Sequence, residues 1–171
     1  MNDLKKILVV DDDDNIRELL QRLFQEDGWH CQAAESGSAA LQVLEQSSPF
    51  DLMITDIVME GMNGIELTRQ VQEKYPSLPV IVMTGFTEDY NYDEAVKAGA
   101  ADFVKKPFTM REIMVRIHRV LRDQQTVEAI RRKEKELERM GSEMIAGVQD
   151  ESRARIDALQ KEIAVLKKKI W

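Results

Sequence analysis

The chain has 171 residues, of which 43% are apolar and 32% charged, with a formal net charge of −7; this suits one domain of ordinary size plus an appendage and excludes two large domains. No apolar run approaches the roughly 20 residues needed to cross a bilayer and none reads as a secretory leader, so a cytoplasmic protein is expected. Cys31 is the only cysteine, which excludes an intramolecular disulfide and a cysteine-rich zinc site, and it reads as a small buried apolar residue.

KILVV (6–10) is a short, β-branched apolar run bounded by charge, and it predicts a buried strand. Ile16, Leu19, Leu20, Leu23 and Phe24 then form a helical stripe that stops at Asp27-Gly28. The alternation repeats with HCQAA (30–34) and a helix carrying Ala39 to Leu44, then DLMITD (51–56), the loop EGMNG and a helix from Ile65 to about Tyr75. PVIVMT (79–84), a helix near Asp89–Ala98 closed by Gly99, ADFVK (101–105) and a last helix from about Thr109 complete the series. Five apolar runs alternating with five helices predict an α/β fold whose parallel sheet is covered on both faces.

Ligands of such sheets sit beyond the C-terminal strand ends, so the residues just after each strand carry the expectation of chemistry. Asp11 and Asp12 follow the first strand, Asp56 ends the third, Thr84 the fourth, and the fifth runs into Lys105, Lys106 and Pro107. Lys105 is expected to point away by strand alternation. Three carboxylates on one edge suit Mg2+, which takes oxygen ligands, and a carboxylate is a competent nucleophile toward phosphorus once the charge between them is offset. Lysine and hydroxyl donors can hold the remaining phosphoryl oxygens. Of the four carboxylates in VVDDDDNI, Asp11 and Asp12 are assigned to the metal, and Asp13 and Asp14 to the start of the first helix, where alanine at Asp14 is expected to cost about 1 kcal/mol. His30 and His118 have no surrounding motif and read as structural. Thr84 also has a plainer reading, a strand-end hydroxyl bonded to local backbone.

The segments LVVDDD, DLMITDIVMEGMNGIEL, PVIVMTG and AGAADFVKKPF, in this order, resemble a two-component response regulator receiver domain of the CheY-like superfamily over residues 4–122. The resemblance implies a flavodoxin-like sheet of order 2-1-3-4-5 and the following roles. Asp56 is the phosphoacceptor; Asp11, Asp12, Asp56 and the backbone carbonyl of Val58 surround Mg2+; Lys106 binds the phosphoryl group, with a cis bond to Pro107. Thr84 is the switch hydroxyl and Phe103 the switch aromatic. The phosphoryl donor it implies is a sensor histidine kinase or a histidine phosphotransfer protein. Three positions qualify the resemblance. Glu60 stands where the family usually has proline, which makes the loop after Asp56 less rigid and more acidic, and apolar Val58 and Phe86 flank the site, from which slow loss of the phosphoryl group is expected.

Composition changes near residue 122: residues 1–121 hold 12 Lys+Arg against 21 Asp+Glu and residues 122–171 hold 12 against 10, without Pro, Phe or Tyr. The expected division is therefore a receiver at 1–122 and a helical, coiled-coil-like tail at 123–171. One heptad column holds Ile113, Val120, Val127, Glu134, Gly141 and Val148, with Ile130, Leu137 and Met144 beside it; a cleaner seam follows at Ile156, Leu159, Ile163, Leu166 and Ile170. The two seams are out of phase, so a break or restart is expected around Gly141-Ser142 and Gly147. The functional expectation is a homodimer, formed by a parallel coiled coil of tails or by the face of the fourth helix, fifth strand and fifth helix. There Lys97, Asp102, Arg116 and Arg119 are candidates to pair across copies. The alternative is a tail packed back on its own receiver. No helix-turn-helix module fits after residue 122, and no nucleic acid or membrane partner is expected. Besides a stand-alone phosphoacceptor, which is no enzyme, two readings stay open: part of a longer regulator with a DNA-binding or enzymatic output domain, and a Mg2+-dependent phosphohydrolase. The latter wants a general acid at the position of Val58.

Overall fold

β1 (Lys6–Val10), β2 (His30–Ala34), β3 (Leu52–Asp56), β4 (Val80–Thr84) and β5 (Asp102–Lys105) form one parallel sheet in the order β2-β1-β3-β4-β5. The computed structural model describes residues 5–47, 49–85, 92–145 and 151–170. Between the strands lie α1 (Asp14–Glu26), α2 (Gly37–Gln46), α3 (Gly64–Lys74) and α4 (Tyr92–Lys97), and the chain ends in α5 (Met110–Ile145) and α6 (Glu151–Lys167). The expected α/β fold and strand order are both present, with strand limits within one residue of the sequence reading. Residues 86–91, on which the expected start of the fourth helix and Phe86 fall, lie outside the described residues. Among the described residues no helix is long and apolar enough to cross a membrane.

Strand alternation sends side chains to two cores. Leu8, Val10, Met53, Val80 and Val82 face α2, α3 and α4, whereas Ile7, Val9, Leu52, Ile54, Ile81 and Met83 face α1 and the first turns of α5. Both faces are covered, which is why the central strands read as unbroken apolar runs. The helix starts are fixed by side-chain caps: Ser36 accepts from Ala39 N, Asn63 from Glu66 N, and Thr109 exchanges bonds with Glu112. The cap of α1 is Asp13, whose carboxylate accepts from Asn15 N at 2.8 Å. This corrects the expectation for Asp14, which is already helical and pairs with Arg17 one turn on.

Two compact units divide the chain, Met1–Leu121 and Arg122–Trp171. Ile113 and Val120, the first members of the expected heptad column, are buried in the receiver core with Ile117 and Leu121. Their spacing therefore serves packing on the sheet, which needs the same three-and-four repeat as a coiled coil.

In the second unit α5 runs through Gly141 and Ser142 to Ile145, and α6 returns antiparallel to it. Lys133 pairs with Glu162, Glu134 with Lys167 at 2.8 Å, and Glu136 with Arg155 at 3.4 Å, so that the later α5 position, 136, meets the earlier α6 position, 155, as two antiparallel helices require. Ile130, Leu159 and Ile163 are buried in this hairpin. The out-of-phase seams are thus answered by a chain reversal: members of the second seam pack against members of the first within one chain. Val148 and Gly147 lie outside the described residues.

Candidate functional site

The parallel register brings the strand ends to one edge. Val10 stands beside Ala34 and Thr55, Asp56 beside Met83, and Thr84 beside Lys105. Asp11 and Asp12 leave β1 at this edge, and Lys106 leaves β5, its N–H donating to the carbonyl of Thr84 at 2.7 Å. The Lys106–Pro107 bond is cis. Lys105 is exposed, as strand alternation requires, so of the two lysines only Lys106 turns into the site.

Each polar atom of Asp11 is engaged. Its N–H donates to Ala34 O at 3.2 Å, its Oδ1 accepts from Asp13 N at 3.0 Å, its Oδ2 from Lys106 Nζ at 2.7 Å, and its carbonyl from Arg17 Nη1 at 2.5 Å. Asp11 is fully buried and Asp12 exposed. Asp56 is 7% exposed, and its Oδ1 lies 3.1 Å from Lys106 Nζ, the same ammonium that donates to Asp11 Oδ2 at 2.7 Å. One ammonium shared by two buried carboxylates leaves net negative charge there, which a cation would offset. Burial pushes the Asp56 carboxyl above its ordinary range and the charge of Asp11 adds to this, with Lys106 pulling the other way. Burial pulls the Lys106 ammonium down, but its hydrogen bond to Asp11 and the charges of Asp56 and Asp11 outweigh that and hold it above its usual value. Both effects follow from one positive charge answering two buried negative ones.

Ligand oxygens of Asp11, Asp12 and Asp56 come within 4.8 Å of one another, a spacing and an all-oxygen chemistry that suit a hard divalent cation. The charge balance points to the same conclusion, because two buried carboxylates and an exposed one stand against Lys106. The residues present therefore fit Mg2+.

The loop after Asp56 is held by backbone. Gly64 N donates to Ile57 O at 2.9 Å, and a Cβ on Gly64 would lie 1.9 Å from the carbonyl oxygen of Asp56. Only glycine lets α3 begin directly against the end of β3. Val58 is 51% exposed and Glu60 is exposed. Thr84 is half-buried and its Oγ1 donates to Gly85 O at 2.9 Å, the local bond given as its plainer reading. Phe103 is half-buried on β5 under Arg116.

Sequence reasoning missed three contributors. Arg17 braces Asp11 through its carbonyl, and the signal was a basic residue six positions beyond Asp11 on the first turn of α1. In the sequence Gly64 looks like loop composition, although it stands directly ahead of an apolar helix. In the sequence Asp102 is a candidate, with Lys97, Arg116 and Arg119, to pair across copies. Instead it is buried and holds both within the chain, at 3.1 and 2.9 Å. His118 is exposed with Trp29 edge-on to its ring at 5.5 Å, and burial pushes the Cys31 thiol up to about 12, an inert group.

A five-stranded doubly wound sheet carrying this acidic edge defines a receiver-type protein. The chain belongs to the response regulator receiver domain family, whose sequence profile matches residues 7–118. It is 37% identical over 117 residues to the transcriptional regulatory protein ResD of Bacillus subtilis, an overlap of 68% of this chain and 48% of ResD. The chain spans between a quarter and a half of the curated relatives it matches first. A response regulator receiver domain protein from Clostridium thermocellum superposes with a TM-score of 0.68 at 29% identity, over 72% of this chain and 99% of that one. The response regulator TrrA from Thermotoga maritima, solved in complex with Mg2+ and BeF, matches with a TM-score of 0.62 at 35% identity, over 68% of this chain and 99% of that one.

Proposed function

We propose that this chain is the phosphoacceptor of a two-component phosphorelay, with Asp56 as the residue that takes the phosphoryl group. The observation that carries the reading is the buried Asp56 carboxylate at the carboxyl edge of the sheet, clustered with Asp11 and Asp12 and 3.1 Å from Lys106 Nζ. Asp11, Asp12, Asp56 and the carbonyl of Val58 would hold Mg2+, which supplies charge neutralisation for an anionic electrophile. The donor is a phosphohistidine on a sensor histidine kinase or a phosphotransfer protein. The Asp56 carboxylate attacks phosphorus, the P–N bond breaks, its electron pair returns to the imidazole, and the imidazole keeps or takes up a proton to leave neutral. Lys106, already between Asp11 and Asp56, turns its ammonium to the new phosphoryl oxygens. Thr84 exchanges its bond to Gly85 O for one to the phosphoryl group, and Phe103 moves toward the space it leaves.

The output is a change of protein contacts, and the domain division at residue 122 fits this reading. The proposed assembly is a homodimer, and on the face of α4, β5 and α5 Asp102, Arg116 and Arg119 already pair within one chain. A parallel coiled coil of tails would need apolar residues that the hairpin already buries. Phosphohydrolase activity is disfavoured because Val58 offers no general acid.

The test is phosphorylation of the full chain by a small phosphodonor with and without Mg2+, followed by intact mass. The wild type gains one phosphoryl group in a Mg2+-dependent manner, and Asp56→Asn gains none. Equal labelling of both proteins would overturn the assignment.

A further inference from the structure

Phe103 stands on β5 between buried Asp102 and buried Val104. Cζ of Arg116 lies 5.6 Å from the centroid of its ring, within the distance at which an aromatic face attracts a guanidinium. An arginine on a helix surface ordinarily samples many rotamers and would visit such a ring only part of the time. Arg116 is restrained. Its Nη1 donates to both carboxylate oxygens of Asp102, at 3.1 and 3.3 Å, and the Asp102 side chain is only 4% exposed.

Two further groups complete that anchor. Arg119, three positions along α5, reaches Asp102 Oδ2 with Nη2 at 2.9 Å, and the N–H of Phe103 donates to Asp102 Oδ1 at 2.8 Å. A carboxylate buried to this degree demands that its partners stay, because a lost partner leaves a charge in low dielectric. The place of the guanidinium over Phe103 is therefore set by Asp102 beneath it. The residue next to the proposed switch aromatic thus anchors the cation that covers that aromatic.

We propose that Arg116, anchored by Asp102, is a latch on Phe103: a positioning residue that holds the ring in its resting place and raises what phosphorylation must supply to move it. The inference rests on the reading of Asp56 as phosphoacceptor and Phe103 as switch aromatic. Movement of the ring toward the space beside Thr84 gives up the guanidinium, whereas the resting position keeps it. The contact therefore weights the equilibrium toward rest by its full strength. Asp102 contributes through Arg116.

The test uses the full chain with 4-fluorophenylalanine at position 103, read by fluorine NMR, and Mg2+ with beryllofluoride as the activating probe. Arg116→Gln removes the cation and leaves Asp102 paired with Arg119, so the fold is kept. Without the probe, Arg116→Gln is expected to move the Phe103 resonance toward its activated position. With it, half-conversion should need roughly threefold less beryllofluoride, as loss of a cation–π contact implies. Arg116→Lys, which keeps charge without the planar fork, should fall between the two, and Asp102→Asn should behave like Arg116→Gln. If the wild-type resonance moves on activation but Arg116→Gln matches the wild type in both states, the latch is overturned and the switch reading stands. If the wild-type resonance does not move on activation at all, both are overturned.

Discussion

At the carboxyl edge of the sheet one lysine side chain, 22% exposed, answers aspartate side chains that are 1% and 10% exposed; in the hairpin of α5 and α6, the side chains of Lys167 and Arg155, each more than half exposed, answer one glutamate apiece. The distances overlap, at 2.7 and 3.1 Å on the edge and 2.8 and 3.4 Å in the hairpin, so geometry alone does not separate them. Their surroundings do. Coulomb interactions in a water-poor site are several times stronger than at a wet surface, and an unpaired charge there cannot be rescued by solvent. The edge is held by charge and tuned for chemistry, whereas the hairpin is held by Ile130, Leu159 and Ile163, with its ion pairs as trim.

The largest effect that would sharpen this contrast is expected for Lys106→Met. It leaves Asp11 and Asp56 without their counter-charge, at a cost of about 3 kcal/mol in urea unfolding of the receiver. Its rate of phosphorylation by a small donor should fall at least about a hundredfold, the size typical of losing one preorganised charge at a developing anion. Removing an equivalent hairpin cation, in Lys167→Gln, should change stability by less than about 0.5 kcal/mol and leave phosphorylation alone. A hairpin that melts on that substitution would break the comparison.

Next in size is Leu159→Ala, a fully buried side chain in the hairpin, with an expected loss of about 3 kcal/mol confined to the second unit. Hydrogen exchange should show α6 opening while amides of β1 and β3 keep their protection. Asp13→Ala removes the cap of α1 and should cost about 1 kcal/mol, and Asp14→Ala, exposed and already helical, only a few tenths.

The smallest effect expected is a gain. Because burial holds the Asp56 carboxyl above its ordinary value of 3.8, the folded chain binds more protons than the unfolded one between that value and the raised one. This group's contribution to stability therefore falls as pH rises through the window. Asp56→Asn should melt slightly higher than wild type at neutral pH, and the difference should shrink as pH drops through the raised value and vanish below 3.8. A difference that grows on acidification would mean that Lys106 more than offsets burial.

Local pattern made most of the receiver legible. Short apolar runs too brief for a helix and alternating with helical stripes read as strands covered on both faces, and a parallel sheet then fixes where Asp11, Asp12, Asp56, Thr84 and Lys106 meet. The parts that escaped depend on approach distances and partner choice, which spacing does not encode. Gly64 looks like any loop glycine until the Asp56 carbonyl is seen against it. The charge pattern of Asp102, Arg116 and Arg119 permits pairing within one chain or between two, and burial decides. The tail seams carry the right residues, but a three-and-four repeat does not say whether its partner runs parallel from another chain or returns antiparallel from the same one.

The most direct measurement locates the phosphoryl group itself. After labelling with a small phosphodonor and Mg2+, borohydride reduction converts an aspartyl phosphate to homoserine, and peptide mass spectrometry finds its position. Homoserine at position 56 alone is the result this account predicts; homoserine at 11 or 12, or phosphate retained on a histidine, would contradict it.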